Sequence, residues 1–111
     1  MVRTRELEPV VELLPPGFNL MRVEAYEEGH RFLERLATDW ESRTTRFDRS
    51  GEALLAAYMN GVLAGIGGMT LDPSNTGALP MRRFYVRPSS RRQGIGRELA
   101  AALIKHSRDV G

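Results

Sequence analysis

The sequence predicts a mixed α/β (α+β) domain, one sheet with helices packed on it, and three stretches predict it. Met81–Arg108, MRRFYVRPSSRRQGIGRELAAALIKHSR, reads as a strand, a short basic loop and a helix. Glu52–Leu71 reads as a hairpin folded at Asn60-Gly61. Leu20–Glu41 has the periodicity of helix and precedes the hairpin. The resulting order is strand, helix, strand, strand, strand, helix.

Val10-Val11-Glu12-Leu13-Leu14 is a short apolar run that predicts the first strand, closed by Pro15-Pro16-Gly17. The charged residues before it are expected to be loose. Asn19 is placed to cap the helical segment that follows. Within Leu20–Glu41, which one helix or two can fill, Tyr26, Gly29, Leu33, Leu36 and Trp40 share a stripe, with Phe32 beside them. Glu24, Glu27, Glu28, Arg31 and Glu34 lie off that stripe or at its margins. Trp40 is in register for the core rather than for a ligand platform. His30 has no metal-ligating company and reads as a partly exposed helix residue. Ser42–Ser50 is polar and arginine-rich, a loop or an irregular second helical turn. In the hairpin, Glu52–Met59 and Val62–Leu71 flank a favoured two-residue turn. Gly65, Gly67 and Gly68 weaken the return strand and signal a bulge or a group packed close against it. No helix follows Gly65-Ile66-Gly67-Gly68, which argues against a cofactor loop there. Asp72–Gly77 is rich in turn residues, and the next strand begins near Ala78.

That strand leads into the stretch with the most chemistry. Met81–Val86 has β-branched and aromatic content, Pro88 stops it, and Ser89-Ser90 turn the chain. From Ile95 onward, Leu99, Ala102, Leu103 and His106 fall three and four apart on one helix face. Between them lies Arg91-Arg92-Gln93-Gly94-Ile95-Gly96. A helix start offers unpaired N–H groups and a positive dipole end, and glycines let an anion approach the backbone. Flanking arginines add charge-assisted donors. The stretch is built as a phosphate cradle. It lacks the Gly-x-x-x-x-Gly-Lys-(Ser/Thr) loop, and no third glycine completes a dinucleotide fingerprint.

Arg91-x-x-Gly94-x-Gly96, after a strand ending Phe84-Tyr85-Val86-Arg87-Pro88, resembles motif A of the GCN5-related N-acetyltransferase (GNAT) family, (Arg/Gln)-x-x-Gly-x-(Gly/Ala). The resemblance implies a GNAT-like mixed sheet in the order strand, two helices, three strands, helix, with residues 1–111 forming one domain. It implies acetyl-CoA as co-substrate and a small-molecule or peptide amine as acceptor. Phe84 and Val86 would offer main-chain groups to the acetyl carbonyl and pantetheine. Arg91, Arg92, Gln93, Gly94, Gly96 and Arg97 would take the pyrophosphate. The family continues with a fifth strand, which splays from the fourth to admit pantetheine, and a fourth helix that often carries a tyrosine acid. This chain stops at Gly111, so the expectation is a domain cut short before the fifth strand, or one whose missing wall comes from another chain. The uncovered edge of Leu79–Val86 is then expected to drive self-association.

Composition bounds the alternatives. At 111 residues the chain is expected to be one soluble, cytoplasmic domain with a modest core. It has no cysteine for disulfide or thiolate chemistry, no apolar run long enough to span a bilayer, and no apolar signal segment at its start. The net charge of +2 is slight despite a pI near 9.5. Arg82, Arg83, Arg87, Arg91, Arg92 and Arg97 crowd the cradle, and Lys105 is the lone lysine. Clustered arginine also suits nucleic-acid phosphate, but no recognition helix or aromatic RNA-binding motif accompanies it. A small phosphorylated cofactor is favoured, with no nucleic acid, no membrane and no metal. Acetyl transfer requires a polarised acyl carbonyl, a deprotonated amine and a protonated leaving thiolate. The base is unassigned. Several family members place a glutamate where this sequence has Ala78-Leu79-Pro80-Met81; Glu52, Asp72, Glu98 and His106 are the titratable residues nearest in sequence, and Glu98 suits a helix-dipole role. Two functions stay open: an N-acetyltransferase, and a CoA-binding or interaction module without catalysis.

Overall fold

Strand β1 (Arg5–Pro9), helices α1 (Phe18–Glu27) and α2 (Phe32–Glu41), strands β2 (Ala53–Met59), β3 (Val62–Met69) and β4 (Met81–Val86), a 3-10 turn at Pro88–Ser90 and helix α3 (Ile95–Val110) follow one another along the chain. The computed structural model describes residues 5–42, 47, 52–69 and 81–110, with 81–83 and 107–110 described by backbone alone. The expected order β1-α1-α2-β2-β3-β4-α3 is therefore observed. All three strand pairings are antiparallel and neighbours in sequence are neighbours in the sheet. The predicted loop Asp72–Gly77 and the strand start near Ala78 lie outside the described residues, as does most of Ser42–Ser50.

Alternation along the strands sorts side chains to two faces. Leu54, Ala56, Leu63, Ile66 and Tyr85 pack with Met21, Ala25, Leu33, Leu36 and Trp40 of α1 and α2. On the other face Ala57, Ala64, Phe84 and Val86 pack with Ile95 and Leu99 of α3. Helices thus cover both faces, which is why β3 is buried from Leu63 to Met69. The glycines of β3 answer to this crowding. A Cβ on Gly67 would lie 2.9 Å from the Phe84 ring, and one on Gly65 would lie 3.0 Å from the Tyr85 carbonyl. Asn60 and Gly61 both adopt positive φ (53° and 80°), as the predicted hairpin turn requires.

Two expectations are corrected and a third, left open between one helix and two, is resolved. The first strand is Arg5–Pro9 rather than Val10–Leu14. Its backbone pairs with β2 from Arg5↔Met59 to Pro9↔Leu55, and as an edge strand it accommodates charges and proline. Val10 is buried and donates its N–H to the Leu54 carbonyl at 2.8 Å, but Val11 and Leu13 are exposed, so apolar content alone misplaced the strand. Next, Asn19 is not the cap of α1. Gly17, at φ 89°, holds that position and no side chain caps the helix. Finally, Leu20–Glu41 is two helices. Gly29 adopts φ 87°, its N–H bonds to Tyr26 O at 2.9 Å, and the His30 N–H reaches back to Ala25 O at 2.9 Å. That pair of bonds is a Schellman ending. The break rotates the stripe, so Tyr26 is exposed while Met21 and Ala25 are buried. Trp40 lies in the core as expected. Among the described residues no helix is long and apolar enough to cross a membrane.

Candidate functional site

Strand β4 positions the site through its alternation. Tyr85 turns toward α1 and α2, whereas Phe84 and Val86 turn toward α3. The Arg87 N–H bonds to Ala64 O of β3 at 2.8 Å, so the main-chain groups of Val86, and of Phe84 two residues earlier, face away from β3. On that outer side the Val86 carbonyl accepts a bond from Arg91 Nε at 3.0 Å.

After the 3-10 turn, two residues in quick succession adopt left-handed backbone, Arg92 at φ 66° and Gly94 at φ 81°. Helix α3 then starts, and the Glu98 N–H bonds to Gly94 O at 2.9 Å. The amides of Ile95, Gly96 and Arg97 precede that bond and have no acceptor within the helix. A Cβ on Gly96 would meet Val86 Cγ2 at 3.7 Å, ordinary contact, so packing within the chain does not demand glycine there. Unpaired amides at a helix start are groups to which an anion can bond. Arg92 and Arg97 are exposed, and neither side chain has an ion pair among the described residues. Gln93 is half-buried. Arg5 of β1 pairs with Glu98 at 2.6 Å and stands over Gly94.

Arg91 differs from its neighbours. Its Nη1 and Nη2 hold the two carboxylate oxygens of Glu28 at 2.8 and 2.6 Å, and its guanidinium lies 5.4 Å from the Tyr85 ring centroid. The Tyr85 hydroxyl donates to the same carboxylate. One turn back on α1, Glu24 receives Arg87 Nε at 2.6 Å and Nη2 at 3.3 Å. Bonding to Arg91, then to Tyr85, holds the Glu28 carboxyl down at about 2. Burial, reinforced by the bond to Glu28, pushes the Tyr85 phenol up. His30 and Phe32 ring the same tyrosine, with centroids 6.3 and 6.2 Å away.

The structure therefore brings Phe84, Val86, Arg91, Arg92, Gln93, Gly94, Gly96 and Arg97 to one end of the sheet. Glu24, Glu28, Tyr85 and Arg5 join them unforeseen. A signal for the first two was present: Glu24 and Glu28 are four apart, as are Arg87 and Arg91. Among the described residues no group of three His, Asp or Glu side chains is placed to hold a metal.

A four-stranded antiparallel sheet with helices on both faces, its last strand leading through an arginine-glycine turn into a helix, defines a mixed α/β protein. The match of residues 12–111 to the acetyltransferase (GNAT) family is more particular, and the chain belongs to that family. It is 45% identical over 62 residues to the mycothiol acetyltransferase of Actinosynnema mirum, a match covering 56% of this chain and 20% of the relative, so it spans about a fifth of that protein. A proposed acetyltransferase of Exiguobacterium sp. 255-15 superimposes with a TM-score of 0.86 at 20% identity, over 96% of this chain and 71% of that one. AAC(6')-Iy, solved with the bisubstrate analogue CoA-S-monomethyl-acetylneamine, does so with a TM-score of 0.61 at 18% identity, over 96% and 73%. At such identities the structural likenesses carry the fold alone.

Proposed function

We propose that residues 1–111, as one domain, bind acetyl-CoA and serve its transfer to an amine as an N-acetyltransferase. The observation that carries this is the start of α3. Its three amides without helical acceptors, an uncrowded Gly96 and the exposed Arg92 and Arg97 converge within a matched acetyltransferase family. The turn that follows Arg91, from Arg92 to Arg97 with Gln93, Gly94 and Gly96, receives the pyrophosphate. The outward main chain of Phe84 and Val86 receives the pantetheine and acetyl carbonyl. Acetyl-CoA supplies an activated thioester; the residues here bind and orient it.

A second reading, a CoA-binding module without catalysis, is favoured by one observation. The two groups beside the site with strongly displaced pKa values are displaced away from neutrality, Glu28 to about 2 and Tyr85 upward. Neither is tuned as a base for an ammonium at neutral pH.

Calorimetry with acetyl-CoA and a thiol-release assay over a panel of amines (simple amines, a peptide N-terminus, a neamine-class aminoglycoside) separate these readings. Binding with thiol release supports the transferase, and binding without release for any amine supports the module. Gly94→Val and Gly96→Val should each weaken binding at least about tenfold by crowding the amides, whereas Lys105→Ala on exposed α3 surface should not. Equal losses from all three would sink the assignment.

A further inference from the structure

We propose that Arg91 is a positioning residue: occupied by Glu28 and the Val86 carbonyl, its guanidinium holds the Arg92–Gly96 turn so that the first amides of α3 face the phosphates, and it is not itself a phosphate ligand. The inference rests on the acyl-CoA reading above and gives one arginine of the turn a different task.

The geometry turns the fork of Arg91 toward Glu28 rather than toward an anion. Each of its three guanidinium nitrogens makes a bond, Nη1 and Nη2 to Glu28 and Nε to Val86 O, at 2.8, 2.6 and 3.0 Å, which leaves two of its five N–H donors. One guanidinium face lies over the Tyr85 ring. A carboxylate bound to both terminal nitrogens would also repel a phosphate approaching them.

What Arg91 joins is informative. Glu28 caps the C-terminal end of α1, where the helix dipole disfavours a carboxylate, so a partner cation offsets an otherwise adverse position. Val86 ends β4, and Arg91 immediately precedes Arg92, whose φ of 66° is a conformation a non-glycine residue rarely adopts. One side chain thus ties a helix end, a strand end and a strained turn together. Exposed ion pairs generally contribute little to global stability, but a bidentate pair stacked on an aromatic ring holds its geometry well. The contribution is to local order.

Glu28→Gln, Arg91→Lys and the double variant test this. Glu28→Gln gives opposite signs under the two roles. A ligand arginine released from its carboxylate would bind CoA more tightly, whereas a positioning arginine that loses its anchor leaves the turn loose. Lysine keeps the charge but lacks the fork and Nε, so a ligand would be largely preserved and a brace would not. Each single variant is expected to weaken CoA binding by about tenfold in calorimetry, and the double variant by no more than the worse single, since both cut one connection. In the free protein, backbone order parameters over Arg92–Arg97 are expected to fall from the rigid range toward about 0.6, with Leu99–Leu103 unchanged. Tighter CoA binding by Glu28→Gln, wild-type affinity in Arg91→Lys, or unchanged order parameters in both would overturn the proposal. If the wild-type chain binds no CoA, the acyl-CoA reading fails, and the order parameters decide the positioning role alone.

Discussion

At the residue scale, the bond between Glu28 and Arg91 makes a titration prediction. The Glu28 carboxyl has an ordinary value of 4.5 and is held at about 2 in the fold, chiefly by Arg91 and secondarily by Tyr85. A carboxylate whose folded pKa is depressed stabilises the fold fully above its unfolded value and loses that contribution as pH falls through the folded one. Turn order should therefore persist at pH 5 and fade between roughly pH 4.5 and 2. Carboxyl-carbon NMR should show Glu28 titrating well below its ordinary value of 4.5; a midpoint at that ordinary value would refute the bidentate contact. The sequence already contained the matched spacing of Glu24, Glu28, Arg87 and Arg91. Nothing in the residues said that α1 and β4 would meet in that register, because the meeting depends on where the Gly29 break ends α1. The residues of the proposed cradle were legible, since its glycines, arginines and helix start are consecutive in the chain.

Elements that carry their own signals were read well, and elements defined by distant partners were not. The hairpin has Asn60-Gly61 at its turn, and α3 has Ile95, Leu99 and Leu103 in helical register, all buried. By contrast, β1 has one inward apolar residue, Leu7, and exists through its pairing with β2. Two glycines separate conformational from packing demands. At Gly29 a Cβ would meet nothing within 4 Å, yet φ is 87°. Gly29→Ala should cost about 1–2 kcal/mol from left-handed strain alone. At Gly67 the obstacle is the Phe84 ring at 2.9 Å, and overpacking by Gly67→Ala should cost about 1–3 kcal/mol. Urea unfolding measures both, and Phe84→Leu should relieve Gly67→Ala while leaving Gly29→Ala unchanged. Failure of that rescue would mean the ring is not what Gly67 accommodates.

For the whole molecule, the outer side of β4 sets the behaviour of the 111-residue chain. Among the described residues β4 pairs with β3 alone, and the main-chain groups of Phe84 and Val86 face the other way. Edge strands are usually blunted by charge, proline or a bulge. Here the register of β3 and β4 shifts between Ile66 and Gly68, and Arg91 occupies the Val86 carbonyl, so the edge is partly protected. The amide of Val86 and the main chain of Phe84 lack such cover among the described residues. The 111-residue chain is therefore expected to self-associate through this strand as concentration rises. If pantetheine uses the same groups, as proposed above, ligand and second copy compete, and saturating acetyl-CoA should shift the equilibrium toward monomer. Sedimentation velocity over a concentration series, with and without acetyl-CoA, measures both effects. Glu28→Gln should weaken the ligand's effect while favouring association, because it frees the Val86 carbonyl as well as loosening the turn. A monomer at every concentration would mean the edge is already covered, and a dimer indifferent to acetyl-CoA would place its interface elsewhere.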